Sequence, residues 1–117
     1  MENQIQEIHI LLFYKYVDVD PKKSERLIRE HLKFCKELGI FGKVFISEEG
    51  INGSVSGSEE QVEKYKEFVH SHKEFDDVIF KEDIGKEHPF TKMFVRKKDE
   101  VVSLKVSVDL KNAGKYN

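Results

Sequence analysis

Between residues 43 and 57 the chain reads KVFISEEGINGSVSG, which sets two carboxylates, Glu48 and Glu49, beside an amide, Asn52, and the glycines Gly50 and Gly53. Carboxylates suit general acid–base work, but neither has a nearby residue of opposite role in the sequence, so they read as scaffold before catalyst. Asn52-Gly53 is a turn signal because both residues tolerate positive φ, and Gly50 adds a second permissive point. Together they predict a loop over residues 50–53, wider than a minimal turn, whose N–H groups can face one way as in an anion-binding nest. The two glutamates oppose a bare phosphate there, and a plain hairpin with exposed glutamates fits the same spacing. Asn52 either shapes the turn or offers its side-chain amide to a hydrogen-bonding ligand.

A second constellation is HPFTKMFVRKK, residues 88–98. The residue before proline is driven extended, so His88 and Phe90 stand on a stiff segment. Phe90 either plugs the core or stacks on an unpaired base, a contact worth on the order of 1–3 kcal/mol. Lys81, Lys86, Lys92, Arg96, Lys97 and Lys98 crowd this third of the chain, interrupted by acids; such a mixed run is by default a solvated face, and its Arg96 end could meet RNA phosphates. Cys35 and His31 share the apolar stripe of a predicted helix, which makes Cys35 a core thiol and His31 a half-buried packing residue. His70 and His72, two apart on a helix, point in different directions and read as solvated rather than as a metal pair.

The elements that must position these groups follow from periodicity. Ile8 to Val17 is apolar on both alternating sets, as in a central strand. Asp20 before Pro21 caps a helix with Leu27, Ile28, His31, Leu32, Cys35 and Leu38 on one side and Gly39 as its left-handed stop. Lys43–Ser47 and Ser54–Ser56 form a hairpin. Ser58 and Gln61 make a capping box for a second helix along Val62, Tyr65, Phe68 and Val69, fading near His72. Val78–Phe80 predicts a fourth strand, and Met93–Val95 with Val101–Leu104 one or two more. Strand, helix, strand, strand, helix, strand is the split βαβ pattern: an α+β, ferredoxin-like sandwich with two helices on one face of an antiparallel sheet. The other face must then expose either Leu11 and Phe13 or Ile10, Leu12, Tyr14 and Tyr16, a surface that wants a partner.

At 117 residues the chain is one domain, 38% hydrophobic and 36% charged. No apolar run approaches a membrane span and the first residues lack a signal-peptide pattern, so a cytoplasmic protein is expected. The single cysteine excludes an intrachain disulfide, and no Cys/His spacing suggests structural zinc. A formal charge of −2 means that any RNA contact relies on a local patch.

The runs LLFYKYV, LKFCKELGIFGKVFISEEGINGSVSG and FKEDIGKEHPFTKMFVRKKDEVVSL, in that order, resemble the amino-terminal domain of the rhodanese-linked tRNA uridine hydroxylases. EEGINGSVSG and HPFTKMFVRKKDEVV are the most specific parts. Lys43, where arginine is usual, Ser47, where alanine is common, and Val101, where isoleucine stands, are mild departures; lysine at 43 loses the planar fork for phosphate. The resemblance implies an acylphosphatase-like fold and, for the whole protein, oxygen-dependent formation of 5-hydroxyuridine at the tRNA wobble position. It implies residues 1–106 as the domain and 107–117 as a linker toward a rhodanese domain absent from this chain, which carries the family's cysteine. The expected partners are that domain and the tRNA anticodon region. Glu48, Glu49, Gly50, Asn52, Gly53, His88, Phe90, Lys92 and Arg96 are expected to face one or the other, with no catalytic residue or metal ligand in this chain and the cofactor unassigned. Two rival classes remain: a protein-interaction module that never touches RNA, and an acylphosphatase-like hydrolase. The second is opposed by YVDVDPKKS after the first strand, which lacks the glycine and arginine of a phosphate cradle.

Overall fold

Ile8–Tyr16, the doubly apolar run, sits inside the sheet as strand β1 in the structure, a computed structural model that describes residues 7–97. It is followed by helix α1 (Pro21–Leu38), strands β2 (Phe41–Ser47) and β3 (Gly50–Gly57), helix α2 (Glu59–His70), a 3₁₀ turn (Lys73–Phe75), and strands β4 (Phe80–Gly85) and β5 (Met93–Lys97). The sheet order is β4-β1-β3-β2-β5. Neighbours are antiparallel except β5, which runs parallel to β2. The sheet is therefore mixed, not antiparallel as expected. The reason is a crossing: after β4 at one edge, His88 lies over β3 and β2, and the chain reaches the far edge, where the Gly42 N–H donates to the Lys92 carbonyl (2.9 Å).

Both helices start and stop as their caps dictate. Asp20 accepts hydrogen bonds from the Lys22 and Lys23 N–H groups, Pro21 opens α1, and Gly39 ends it at φ 86°. At α2 the Ser58 hydroxyl accepts from the Gln61 backbone N–H (3.1 Å), while the Gln61 side-chain oxygen Oε1 accepts from the Ser58 N–H (2.8 Å). The Gln61 amide nitrogen also donates to the Leu38 carbonyl (3.0 Å), so one side chain ties the end of α1 to the start of α2.

The helices cover one sheet face. Leu27 and Cys35 of α1 and Val62, Tyr65 and Val69 of α2 bury against Leu11, Phe13, Val44, Ile46, Ile51 and Val55, at about 1.5–3 kcal/mol for each large side chain removed from water. Leu11 and Phe13 thus point inward, and Leu12, Tyr14 and Tyr16 are left outside. At the margin His9 and Lys66 share the Glu82 carboxylate at 2.6 and 2.7 Å, joining β1, β4 and α2.

Three expectations are corrected. The hairpin closes through a two-residue turn, Glu48-Glu49, and residues 50–53 are strand, not loop. Packing explains it: a Cβ at Gly53 would meet the Lys43 carbonyl oxygen at 2.5 Å and Val44 Cα at 2.8 Å, and one at Gly50 (φ 135°) the Lys15 carbonyl oxygen at 2.0 Å. These glycines serve close strand approach, the other reason for glycine in a strand. The fourth strand begins at Phe80, because the Val78 N–H donates to the Phe75 carbonyl and tucks Val78 into the core while Ile79 points outward. His31 is fully buried, with Nε2 2.7 Å from the Tyr65 hydroxyl. Val101–Leu104 and residues 107–117 lie outside the described residues.

Two predictions follow from this packing. Gly53→Ala forces backbone apart at the centre of the sheet and lowers unfolding stability by at least about 2 kcal/mol, read by urea denaturation. Burial, helped by neighbouring His72, pushes the His31 imidazole down to about 3 from its ordinary 6.5. The unfolded chain therefore binds a proton that the folded chain refuses between those values. Stability is full above about pH 6.5 and falls as the pH drops below it, with a slope approaching about 1.4 kcal/mol per unit. His31→Gln, which retains a partner for Tyr65, flattens the slope between pH 6.5 and about 5, above most carboxylate titrations; denaturation midpoints across that range measure it.

Candidate functional site

Residues directly opposite one another in adjacent strands share a sheet face. On the face without helices the register therefore builds rows. One runs Tyr14, Asn52, Phe45, Arg96; the next runs Lys81, Leu12, Ser54, Lys43, Phe94. Tyr14 and Leu12 are 69% and 56% exposed. Arg96 lies 4.6 Å from the centre of the Phe94 ring, a cation–π contact that holds the guanidinium on the sheet. A third row runs Asp83, Ile10, Ser56, Phe41; His88 covers its Ser56–Phe41 end, with Nδ1 2.9 Å from the Ser56 hydroxyl and its ring edge-on to Phe41 at 5.0 Å, while Asp83 at the other end is exposed.

Beyond the first row, Tyr14 and Tyr16 stand with ring centres 5.8 Å apart. They border a cleft of about 180 Å³ that also touches Ser47, Glu49 and Asn52. On the other flank of Tyr14 a wider groove of about 450 Å³ continues past Leu12 to Ile79 and Lys81.

The nine residues expected to face outward divide accordingly. Asn52 and Arg96 lie in one row of the bare face, and Glu49 borders the cleft at its end. Glu48 shares the exposed turn, and the turn's carbonyls hold the β1–α1 connection: Val19 N–H donates to Glu48 (2.9 Å) and Val17 N–H to Glu49 (3.0 Å). Gly50 and Gly53 are spacers inside β3. His88 packs on the sheet, Phe90 is half-buried, and Lys92 is exposed while its carbonyl serves Gly42. The structure thus brings Glu49, Asn52 and Arg96 to one end of the bare face and sets His88 on the same face two rows away. Tyr14 was legible only as one of two alternatives for the exposed face. Phe45 and Phe94 were missed, although each alternates with buried neighbours, Val44 and Ile46 or Met93 and Val95.

The titratable interior is structural. Burial pushes the Cys35 thiol up to about 12, and Cys35 and His31 both lie in the helix-side core. Burial also raises the Tyr65 hydroxyl well above its usual value. Of the two histidines expected to be solvated, His70 is exposed, with Nε2 2.8 Å from the Val78 carbonyl, and His72 is half-buried, with Nδ1 2.8 Å from the Phe68 carbonyl. Among the described residues no three His, Cys, Asp or Glu side chains converge as a metal site, and no helix is long and apolar enough to cross a membrane.

A mixed five-stranded sheet, helices on one side and an aromatic, cationic surface on the other define an α+β domain of acylphosphatase-like type. The chain belongs to the UPF0176 acylphosphatase-like domain family, whose pattern matches residues 8–101. It is 43% identical over 99% of its length to a tRNA uridine(34) hydroxylase of Bacillus licheniformis and 47% identical over 90% to one of Bacillus velezensis. It spans 35% and 32% of those relatives, about a third of their length. Among solved structures the BLUF protein BlrB in its dark state aligns with a TM-score of 0.69 at 14% identity, covering 90% of this chain and 83% of that one, a likeness of fold alone.

The raised, buried thiol yields a direct check. Cys35 stays unmodified by a disulfide reagent such as dithionitrobenzoate in the native protein and reacts stoichiometrically once denatured; native reaction on the scale of seconds would contradict the core assignment.

Proposed function

We propose that this chain is the substrate-positioning domain of a tRNA uridine(34) hydroxylase, acting in the cytoplasm alongside a further segment, rhodanese in type, that carries the chemistry. The carrying observation is the identity with relatives of that name over nearly the whole chain, while the chain spans a third of them. The reacting oxygen, its reductant and the residues that handle them belong, on this reading, to the remaining two thirds. The same reading takes the first six elements as a ferredoxin-like arrangement, supported by the order β4-β1-β3-β2 and by helices on one face only.

Division of labour follows from chemistry. Asn52 and Arg96 are turned toward RNA on the bare face, with Glu49 at its margin. The exposed Glu48 is turned toward the partner domain. His88 holds the crossing segment down and keeps β5, with Arg96, in register beside β2. Phe90 and Lys92 frame that crossing.

An acylphosphatase reading fares worse on the β1–α1 connection. Asp20 there is committed to capping α1, and neither arginine nor glycine is present to cradle an acyl phosphate. Purified chain is expected to leave benzoyl phosphate unhydrolysed.

The deciding measurement is nucleoside analysis of tRNA from cells deleted for the whole gene. Loss of 5-hydroxyuridine at position 34, restored by the full gene and not by this chain alone, is expected. Unchanged 5-hydroxyuridine in a strain without a second hydroxylase gene would overturn the reading.

A further inference from the structure

We infer that the row Tyr14, Asn52, Phe45, Arg96, with the cleft at its Tyr16 end, is a single-stranded RNA platform on which one unpaired base stacks and whose neighbouring phosphate Arg96 neutralises. The inference rests on the reading of tRNA as substrate and adds to it the surface and the mode of contact.

Three observations carry it. First, the two central rows hold Lys43, Lys81 and Arg96 and not one carboxylate, although the chain as a whole is acidic by two charges. None of these three cations is in an ion pair among the described residues; the exposed Asp83 stands two residues from Lys81 on β4, at the far edge from Lys43 and Arg96. The β2–β5 side of the face, with Lys43 and Arg96, is thus complementary to a polyanion, which argues for RNA over an apolar protein partner.

Second, the aromatics are spaced for bases. Tyr14 and Phe45 flank Asn52 in one row, one strand away on either side. Strands in a sheet lie roughly 4.8 Å apart, so two rings separated by one strand stand about 10 Å from each other. That gap accepts the planar edge of a base beside Asn52 while a neighbouring base lies on a ring, as on other RNA-binding sheets.

Third, the cleft is ring-sized. At about 180 Å³ it falls below the roughly 300 Å³ lower bound of ordinary ligand pockets. Its walls include two tyrosines, and its polar and charged lining residues are Ser47, Asn52, Glu49 and Lys15, the last paired with Asp77. An amide donates to base carbonyls and a carboxylate accepts a base N–H, which together suit the carbonyl and N–H edge of uracil. Glu49 also repels phosphate, so the RNA backbone runs on the Arg96 and Lys43 side with its bases toward the tyrosines.

The test is an NMR titration of ¹⁵N-labelled chain with a seven-residue oligouridylate, beside heparin as a polyanion without bases. With the RNA, shifts at Tyr14, Phe45, Asn52 and Arg96 and in the tyrosine rings are expected, and heparin leaves the tyrosine rings unmoved. Tyr14→Ala, at an exposed position, weakens binding roughly five- to a hundredfold through lost stacking. Arg96→Ala lowers the slope of log affinity against log salt by about 0.7, the signature of one phosphate contact on a single strand. Shifts confined to the helical face, or heparin reproducing every shift, would overturn the platform. So would movement of the same resonances with protein concentration alone, which assigns the face to a second copy of the chain. None of these outcomes touches the deletion experiment, so the platform can fail while the hydroxylase reading stands.

Discussion

The molecule depends on how closely β3 lies against its two neighbours. Gly50, Gly53 and Gly42 stand where any Cβ would strike the backbone of the adjacent strand at 2.0 to 2.5 Å. Their bare backbone keeps the pairing register unbroken from Tyr16 opposite Gly50 to His9 opposite Gly57. Register is what places side chains on faces: a slip of one residue would carry Leu11 and Phe13 into water and Tyr14 into the core. The three glycines therefore decide the buried interior and the composition of the outer rows together.

Given that register, the one-sided placement of the helices does the rest. Leu11 and Phe13 of β1, with Val44, Ile46, Ile51 and Val55, lie on the helix side, and Leu12, Tyr14, Asn52, Phe45, Lys43 and Arg96 are left on the other. The acids are largely elsewhere: Glu74 holds Lys23, Glu82 is shared by Lys66 and His9, and Asp77 pairs with Lys15. Their partners hold the carboxyls of Glu74, Glu82 and Asp77 below their ordinary range. These pairs engage acids at the margins, and none of them involves Lys43 on β2 or Arg96 on the edge strand β5 of the open face.

How far the sequence was readable follows from the same division. Local signals were strong where one residue satisfies one backbone group: Asp20, Gly39, and Ser58 with Gln61 marked helix ends that the structure reproduces. They failed where the reason for a residue is tertiary. Asn52-Gly53 carries a turn signature, yet the glycine answers to Lys43 and Val44 across the strand, and the turn falls to two glutamates without any such signature. Likewise His31 was placed on the right stripe, but its depth depends on Tyr65, 34 positions away. The bare face was foreseen as a surface without its membership, because alternation in β1 alone cannot say which set the helices choose. The resemblance to tRNA uridine hydroxylases identified the family without indicating that its glycine-rich signature is a strand.

The Gln61 side chain gives the helical layer an unusual economy of parts. By serving the last turn of α1 and the first turn of α2 at once, it makes two ends that elsewhere fray independently share a single local opening. The tie lies on the helix-covered side of the sheet, away from the bare face, so the two helix ends are joined without any part of the open rows being used.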